Sequence, residues 1–290
     1  MKVDALSSAI QTLLSQDATR LAKELELDSS TARIEVQCLL QHLLHVPRSW
    51  LLAHPERCLN AEEQTQYQKL LQRRMGGEPV AYILGEREFY GLKLQVTPAT
   101  LIPRPDTELL VELALQRLPN AAEVRVLDMG SGSGAIALAI AHERPNASVL
   151  GVDASAAALL VAQENARALG LSNAHFVQSN WFSALTGQRF ELIVSNPPYI
   201  AADDAHLSQG DVRFEPASAL ASGAEGLDDI RHIVNHARNH LQPGGWLLLE
   251  HGYDQAGRVR TLLQQAGYLE VFSACDLAGI ERASGGKISP

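Results

Sequence analysis

A short apolar strand, a glycine-rich loop and an alanine-rich helix follow one another without a break between residues 124 and 140. Val124 to Asp128 has the composition of a buried strand, Met129 to Gly134 contains glycine at every second position, and Ala135 to Ile140 has helical composition. This order is typical of the first unit of a parallel sheet with helices on both faces. It favours an α/β fold with a doubly wound, mostly parallel sheet.

The chain continues to alternate buried strands with helices after this first unit. Further strands are predicted at 148–153, 175–178, 190–194 and 246–250, with helices over 156–169 and from Asp228 as N-cap towards Leu241. Pro243 to Gly245 is expected to turn the chain, and Leu269 to Phe272 and Leu277 to Ala283 to close the sheet edge. A Gly- and Ala-rich segment from Glu215 to Leu227 is expected to be a mobile loop.

Residues 1–75 have the spacing of helices. The apolar positions that recur at helical intervals are Leu6, Ile10, Leu13 and Leu14, then Ile34, Cys38, Leu39 and Leu43, then Tyr67, Leu70 and Leu71. Asp28 is predicted to cap the second helix, Asn60 and Glu63 to form a capping box, and Gly76-Gly77 to end the last helix.

These patterns predict three regions. Residues 1–80 form a helical substrate-docking domain, residues 81–100 a β-hairpin linker and residues 101–290 the main α/β domain. The hairpin is predicted to pair Tyr82-Ile83-Leu84 with Leu92 to Val96 and to turn near Gly91. The first region carries 9 Lys and Arg against 10 Asp and Glu over residues 1–80, so a partner would be a protein rather than a polyanion.

Composition excludes several classes of protein. A formal net charge of −9 argues against stable nucleic-acid binding, and the absence of long apolar runs or a secretory signal predicts a cytoplasmic protein without membrane contact. The three cysteines lack paired spacing and are expected to be reduced. Cys38, His42 and His45 share a helical face, but no fourth ligand is evident, and we expect no metal.

The glycine loop and the strand ends predict a ligand site. The loop lacks the G-x-G-x-x-G spacing of dinucleotide sites, and Asp128 at the preceding strand end would repel a pyrophosphate but attract a cationic ligand such as S-adenosylmethionine. Asp153 ends the next strand, where an acid can bind ribose hydroxyls, or else it caps the following helix. Trp181 follows a third strand and can cover an adenine face, or else belongs to the core.

Asn196-Pro197-Pro198-Tyr199 follows the strand Phe190 to Val194. The two prolines remove backbone donors and stop the strand, so carbonyl groups remain available. The Asn196 oxygen and the Pro197 carbonyl can accept both protons of a planar NH2 group, while the Tyr199 ring offers it a face. The alternative is a loop that merely ends a strand.

A proline-stiffened loop, Ile102-Pro103-Arg104-Pro105-Asp106-Thr107-Glu108, precedes the first helix of the main domain. Asp106 or Thr107 is predicted to cap the helix that begins at Glu108. A plain linker is the alternative.

In this order, the Asp128 to Gly134 loop, Asp153, Ser179-Asn180-Trp181, Asn196 to Tyr199 and the loop at residues 102–108 resemble the HemK/PrmC family of protein-glutamine methyltransferases over nearly the whole chain. The resemblance implies a Rossmann-like class I methyltransferase domain and a helical N-terminal domain. It also implies S-adenosylmethionine as cofactor and, as substrate, the glutamine of the Gly-Gly-Gln motif in peptide chain release factors.

The resemblance also implies a role for each residue. It assigns cofactor binding to Asp128, Gly130, Ser131, Gly132, Ser133, Gly134, Asp153, Asn180, Trp181 and Asn196, with the glycine loop on the methionine part, Asp153 on the ribose and Trp181 on the adenine. It assigns glutamine binding to Asn196, Pro197, Pro198 and Tyr199, with Asn196, Pro197 and Tyr199 as catalytic residues. The family commonly has Asp at the position of Asn180, so we expect somewhat weaker adenine binding.

Three other functions remain open from the residues. The acceptor could be a glutamine of a ribosomal protein or the exocyclic amine of a nucleobase, since nucleobase methyltransferases share Asn-Pro-Pro-Tyr. Residues 81–290 hold 15 Lys and Arg against 23 Asp and Glu, which disfavours the nucleobase. A silent cofactor-binding scaffold is disfavoured by the intact motif, and we expect a monomer.

Overall fold

The computed structural model describes residues 8–119 and 123–290, so the predicted helical position Leu6 lies outside the described residues. The described chain forms two compact units. One contains the residues up to Gly85 together with 210–214, and the other contains 86–209 and 215–290.

The first unit is helical, and two of its helices begin at the predicted caps. Its helices are α1 (Ile10–Glu24), α2 (Ser29–Leu44), α3 (Arg48–Ala53), α4 (Ala61–Met75) and α5 (Val80–Leu84). Asp28 caps α2 by accepting from the N–H groups of Ser30 and Thr31 at 3.0 and 2.9 Å. Asn60 and Glu63 form the predicted capping box of α4, and Gly76 ends it.

The core of this unit is lined by aliphatic side chains of α1, α2 and α4. Ile10, Leu39 and Leu71 are buried as predicted, whereas Ile34 is 53% exposed and does not belong to the core. Val36 takes the buried position on α2, because the apolar face of that helix is rotated away from Ile34.

The predicted linker is a hairpin with a different first strand. Its strands are β1 (Glu86–Phe89) and β2 (Leu92–Gln95), which pair antiparallel around Tyr90-Gly91. The prediction that Tyr82-Ile83-Leu84 is a strand is wrong, because these residues belong to α5. Pro79 precedes that helix, and Gly85 ends it with a φ of +75° that the left-handed conformation requires.

The second unit has a seven-stranded sheet of the predicted class. Its remaining helices are α6 (Glu108–Arg117), α7 (Ala135–Glu143), α8 (Ala156–Leu169), α9 (Asp228–Ala237) and α10 (Ala256–Gln265). The strands are β3 (Arg125–Met129), β4 (Ser148–Asp153), β5 (Ala174–Gln178), β6 (Phe190–Ser195), β7 (Leu241–Glu250), β8 (Leu269–Cys275) and β9 (Glu281–Lys287).

The strand order is β5-β4-β3-β6-β7-β9-β8, with the first five parallel and β9 antiparallel to both of its neighbours. This confirms a class I methyltransferase fold with a mostly parallel sheet. The central strands β3 and β6 are buried on both faces, which explains their continuous apolar sequence. The carboxyl ends of β3, β4, β6 and β7 therefore meet at one edge of the sheet.

Two predictions about the later elements are wrong, and a third holds only in part, since the segment predicted at Leu277 to Ala283 overlaps β9 (Glu281–Lys287) by three residues. Pro243 to Gly245 does not separate β7 from what precedes it, because the strand begins at Leu241 and absorbs these residues in a register shift against β6. Asp228 does not cap α9 but pairs with Arg231 at 2.8 Å. The Ser222 hydroxyl instead accepts from the N–H of Asp229 at 2.8 Å.

No helix in the described ranges is long and apolar enough to cross a membrane.

Candidate active site

The glycine loop after β3 is folded tightly against β4. Gly130 and Gly132 have φ angles of +72° and +55°, which side-chain-bearing residues rarely adopt. The N–H groups of Gly130 and Ser131 donate to the Val152 carbonyl at 2.8 and 3.0 Å. A Cβ on Gly134 would lie 3.0 Å from Leu138 and Phe176, so the loop leaves no room for a side chain where α7 begins.

Asp153 links the end of β4 to the glycine loop. Its Oδ2 accepts from the N–H of Gly132 at 2.9 Å, and its Oδ1 accepts from the N–H of Ser155 at 2.8 Å. Ser155, and not Asp153, caps α8 by accepting from Ala158 at 3.1 Å. Each carboxylate oxygen has a second lone pair, so Asp153 keeps capacity for a further donor.

Asp128 lies behind the glycine loop and is only 1% exposed. Its Oδ2 accepts from the N–H of Ala137 at 3.0 Å, and Oδ1 makes no hydrogen bond. Burial, with a smaller contribution from the Asp153 charge, raises the pKa of this carboxyl to about 7. The carboxyl therefore keeps its proton to a higher pH than an exposed aspartate does, and a positive charge in its vicinity would stabilise its ionised form.

A cavity of about 260 Å³ opens at this edge of the sheet. The predicted site residues that line it are Gly130, Gly132, Asp153, Asn180, Trp181, Asn196 and Pro198. The predicted site residues that do not line the cavity are Asp128, Ser131, Ser133, Gly134, Pro197 and Tyr199. The structure thus brings residues of the glycine loop, of the ends of β4 and β5 and of the Asn-Pro-Pro-Tyr segment to a single cavity, whereas no residue of the loop at 102–108 lines it.

Trp181 and Asn180 form the end of the cavity beyond β5. Trp181 has a φ of +50°, and its ring lies 3.9 Å from where a Gly130 Cβ would be. The ring packs against the core cluster that includes α9 and also lines the cavity. Its packing against the core is confirmed, and its contact with an adenine stays a prediction.

The Asn-Pro-Pro-Tyr segment is held by contacts from three elements. Asn196 Nδ2 donates to Thr107 Oγ1 at 3.1 Å, which leaves Oδ1 as the free acceptor of the amide. The Tyr199 hydroxyl donates to Glu250 Oε1 at 3.3 Å, and Gln255 Nε2 donates to the Tyr199 carbonyl at 2.9 Å. Burial raises the pKa of the Tyr199 hydroxyl, so it is a neutral donor.

The proline-stiffened loop at residues 102–108 contacts both Glu215 and the Asn-Pro-Pro-Tyr segment, so it is not a plain linker. Glu215, which is 6% exposed, accepts from the N–H of Ile102 at 3.0 Å and pairs with Arg104. Thr107 occupies the predicted N-cap position of α6, but neither it nor Asp106 makes a side-chain cap, and Thr107 contacts Asn196 instead. The segment from Glu215 to Leu227, predicted to be mobile, is tied by this pair and by an Ile200–Ala221 bridge.

Sequence reasoning missed four residues of this region: Thr107, Glu215, Asp229 and Glu250. Asp229 lines the cavity from α9. Glu250 ends β7 and is 3% exposed. The signal that identified Asp128, Asp153 and Asn196, a polar residue directly after a buried strand, also applies to Glu250.

The cavity fits S-adenosylmethionine by its chemistry. Gly132 faces open space, so the backbone is accessible to a ligand. The carboxylate of Asp153 and the indole of Trp181 line the same cavity and suit a ribose and an adenine. Over the described ranges, no three His, Cys, Asp or Glu side chains converge as a metal site would require.

Two family models match parts of this chain. Residues 107–223 match the family model "Methyltransferase small domain", and residues 11–85 match "PrmC N-terminal domain". A release factor glutamine methyltransferase of Xylella fastidiosa is 54% identical over 255 residues, which are 88% of this chain and 93% of that protein. One of Escherichia coli is 50% identical over 259 residues, which are 89% of this chain and 93% of that protein.

A solved methyltransferase structure from Pyrococcus furiosus shares the fold, with a TM-score of 0.53 at 16% identity, covering 78% of this chain and 99% of that one. The sequence relatives span both units. The chain belongs to the release factor glutamine methyltransferase family.

Proposed function

We propose that this protein transfers a methyl group from S-adenosylmethionine to the side-chain amide nitrogen of the glutamine in the Gly-Gly-Gln motif of a peptide chain release factor. The observation that carries the proposal is the Asn196 amide, which lines the cavity beside the glycine loop and has its Nδ2 engaged by Thr107. Its oxygen is the acceptor that a glutamine NH2 group needs.

An amide nitrogen is a poor nucleophile because its lone pair is delocalised into the carbonyl. In this proposal Asn196 Oδ1 and the Pro197 carbonyl accept the two N–H protons, and the Tyr199 ring supports the plane of the amide. Held in this way, the nitrogen lone pair is aimed at the methyl donor, so positioning replaces a general base. The proton released by the alkylated amide leaves to solvent.

The cofactor supplies an electrophilic methyl group on a sulfonium. We assign its methionine part to the glycine loop from Gly130 to Gly134, its ribose to Asp153 and its adenine to Trp181 and Asn180. The buried Asp128 favours the positive sulfonium electrostatically. These assignments extend the family's chemistry to named residues of this chain.

We propose that the helical unit up to Gly85 docks the body of the release factor. We also propose that the protein acts in the cytoplasm. On that unit, a groove of about 410 Å³ between α2 and α4 is lined by His42, His45, Lys69 and their neighbours. The substitutions Gln66→Glu and Lys69→Glu place acids at its exposed edge and should raise KM for the intact factor. A short Gly-Gly-Gln peptide cannot reach the groove, so the wild type and the two variants should methylate it equally.

The test of the main proposal is methyl transfer to a purified release factor, with the modified residue located by mass spectrometry. A factor in which the motif glutamine is replaced by asparagine serves as the control. Methylation of the glutamine alone supports the proposal. A ribosomal protein or a nucleic acid that is methylated while the intact factor is not would overturn it.

A further inference from the structure

The cavity beside the glycine loop has a second acid, on a different element from Asp153. Among the described residues that line the cavity, two carry a charge, Asp153 at the end of β4 and Asp229 in the first turn of α9. Each carboxylate oxygen of Asp153 already accepts from a backbone N–H group. The Asp229 carboxylate has no hydrogen bond and no ion pair within the described ranges. Its acceptor capacity is therefore available to a ligand.

The start of α9 fixes the backbone of Asp229 without using its side chain. The buried Ser222 hydroxyl accepts from the N–H of Asp229 at 2.8 Å. The preceding acid, Asp228, pairs with Arg231 at 2.8 Å and does not line the cavity. Two adjacent acids of one helix turn thus differ in their surroundings, and Asp229 is the one that borders the cavity.

Asp229 lies at the end of the cavity that contains Trp181. His232 is three residues later on α9, so its side chain is a surface neighbour of Asp229, and its ring centroid is 6.5 Å from that of Trp181. Partial burial, and then the charge of His236, lower the pKa of His232, while the Asp229 carboxylate raises it by less. The imidazole is therefore neutral at pH 7 and does not compensate the negative charge of Asp229.

The other polar side chain at this end cannot distinguish a donor from an acceptor. Asn180 lines the cavity, is exposed and has, in the part of the chain that the structure describes, no hydrogen bond that fixes its side-chain amide. An amide presents an oxygen in one orientation and an NH2 group in the other. It can therefore match a purine with an amine at its edge or one with a carbonyl. A carboxylate matches only the amine, because it accepts and does not donate.

We propose that Asp229 is a specificity-determining residue that accepts a hydrogen bond from the exocyclic amine of the cofactor's adenine and disfavours cofactors with a 6-oxopurine base. The role rests on the proposed function, which assigns the adenine to Trp181 and the ribose to Asp153. The indole can stack on the face of either base, so discrimination falls to the groups at the purine edge. A 6-oxopurine would place its carbonyl oxygen against the carboxylate and leave both acceptors without a donor.

The test measures the affinity of the full chain for S-adenosylhomocysteine and for S-inosylhomocysteine, in which a carbonyl replaces the amine. Calorimetry on the wild type should show about 10-fold to 100-fold tighter binding of the adenosyl ligand, the range expected for a hydrogen bond to a charged group. In Asp229→Ala this preference should fall to about 3-fold or less, because no accept-only group then meets the purine edge. The matched control Asp228→Ala should keep the wild-type preference.

Two further variants separate recognition of the amine from general damage. The amide in Asp229→Asn can donate to a carbonyl, so the affinity for S-inosylhomocysteine should rise about 3-fold or more above that of the wild type. The double variant Asp229→Ala/Asn180→Asp puts an accept-only group at the same end of the cavity and should restore part of the preference. Equal losses of affinity for both ligands in Asp229→Ala would overturn the proposal, because the acid would then not recognise the amine.

The same titrations distinguish the failure of this role from the failure of the proposed cofactor. A wild type that binds neither ligand would overturn the proposed cofactor and, with it, the role of Asp229. A wild type that binds both ligands with equal affinity would leave the cofactor in place and overturn only the role of Asp229. No release factor is needed, so the result does not depend on which protein accepts the methyl group.

Discussion

The Asp153 carboxylate joins two backbone segments, since it accepts from Gly132 at 2.9 Å and from Ser155 at 2.8 Å. The glycine loop and the start of α8 are therefore held by the residue that is proposed to bind the ribose. Because Asp153 has both a structural and a proposed ligand-binding role, its substitution can be compared with that of Ser155, two residues later, which caps α8.

Asp153→Ala should weaken S-adenosylmethionine binding by about 1–3 kcal/mol, because it strands polar groups of both the loop and the ligand. Ser155→Ala removes the helix cap and also a hydroxyl that lines the cavity, so it should lower the free energy of unfolding by about 1 kcal/mol and weaken the affinity less than Asp153→Ala does. Calorimetry and urea unfolding measure the two quantities. Normal affinity in Asp153→Ala would limit that residue to a structural role.

Asp128→Asn should flatten the pH dependence of stability. The pKa of Asp128 is raised from 3.8 to about 7, so the folded state keeps a proton that the unfolded state has lost. Stability therefore falls as the pH rises from about 4 to about 7, on the order of a few kcal/mol at most. The substituted amide cannot ionise and should remove part of this slope, while Glu250 continues to contribute in the same range.

Urea unfolding at several pH values between 4 and 7, the window set by the Asp128 pKa, measures this slope. An unchanged slope in Asp128→Asn would show that the Asp128 carboxyl is not the group that retains the proton.

Gly226→Ala should lower kcat although Gly226 does not line the cavity. A Cβ on Gly226 would lie 2.2 Å from the Tyr199 carbonyl oxygen, so the Tyr199 backbone would have to move. Gly226 has a φ of +67° and Gly187 one of +75°, but Gly187 has open space where its Cβ would be. We expect Gly187→Ala to cost only about 1 kcal/mol of stability, and Gly226→Ala to lower kcat as well.

Steady-state kinetics and thermal unfolding on the two alanine variants test this comparison. Equal kcat values in both would contradict the proposed dependence of the reaction on the position of Tyr199.

Arg74 is the buried cation of the helical unit and is 2% exposed. It contacts Glu35 at 2.7 Å and Asp211 at 2.9 Å. Arg74→Met leaves the Glu35 carboxylate unpaired, and burial already raises its pKa, so we expect a loss of about 3–5 kcal/mol. Asp211 is 41% exposed, and Asp211→Asn should cost less than about 1 kcal/mol.

Urea unfolding, monitored by circular dichroism, compares the free energy of unfolding of Arg74→Met and Asp211→Asn in the full chain. Similar losses in Arg74→Met and Asp211→Asn would mean that the contact with Glu35 contributes little.

The elements with strong local signals were predictable. β4 and α8 have the predicted bounds, β5 and β6 differ from prediction by one residue at one end, and β3 differs by one residue at each end. Continuous apolar runs between glycines and polar residues carry this information locally. Where local signals conflict the prediction failed, as at Tyr82-Ile83-Leu84, whose β-type composition is overridden by Pro79 and Gly85 in forming α5.

The sequence by itself determined the parallel sheet, the glycine loop and the polar residues at the strand ends, because each depends on residues that are close in the chain. Only the tertiary structure decided how those residues are oriented. Thr107 and Asn196 are 89 positions apart, and Ile102 and Glu215 are 113 apart. Such contacts leave no periodic trace in the sequence, since strand order and register bring their partners together.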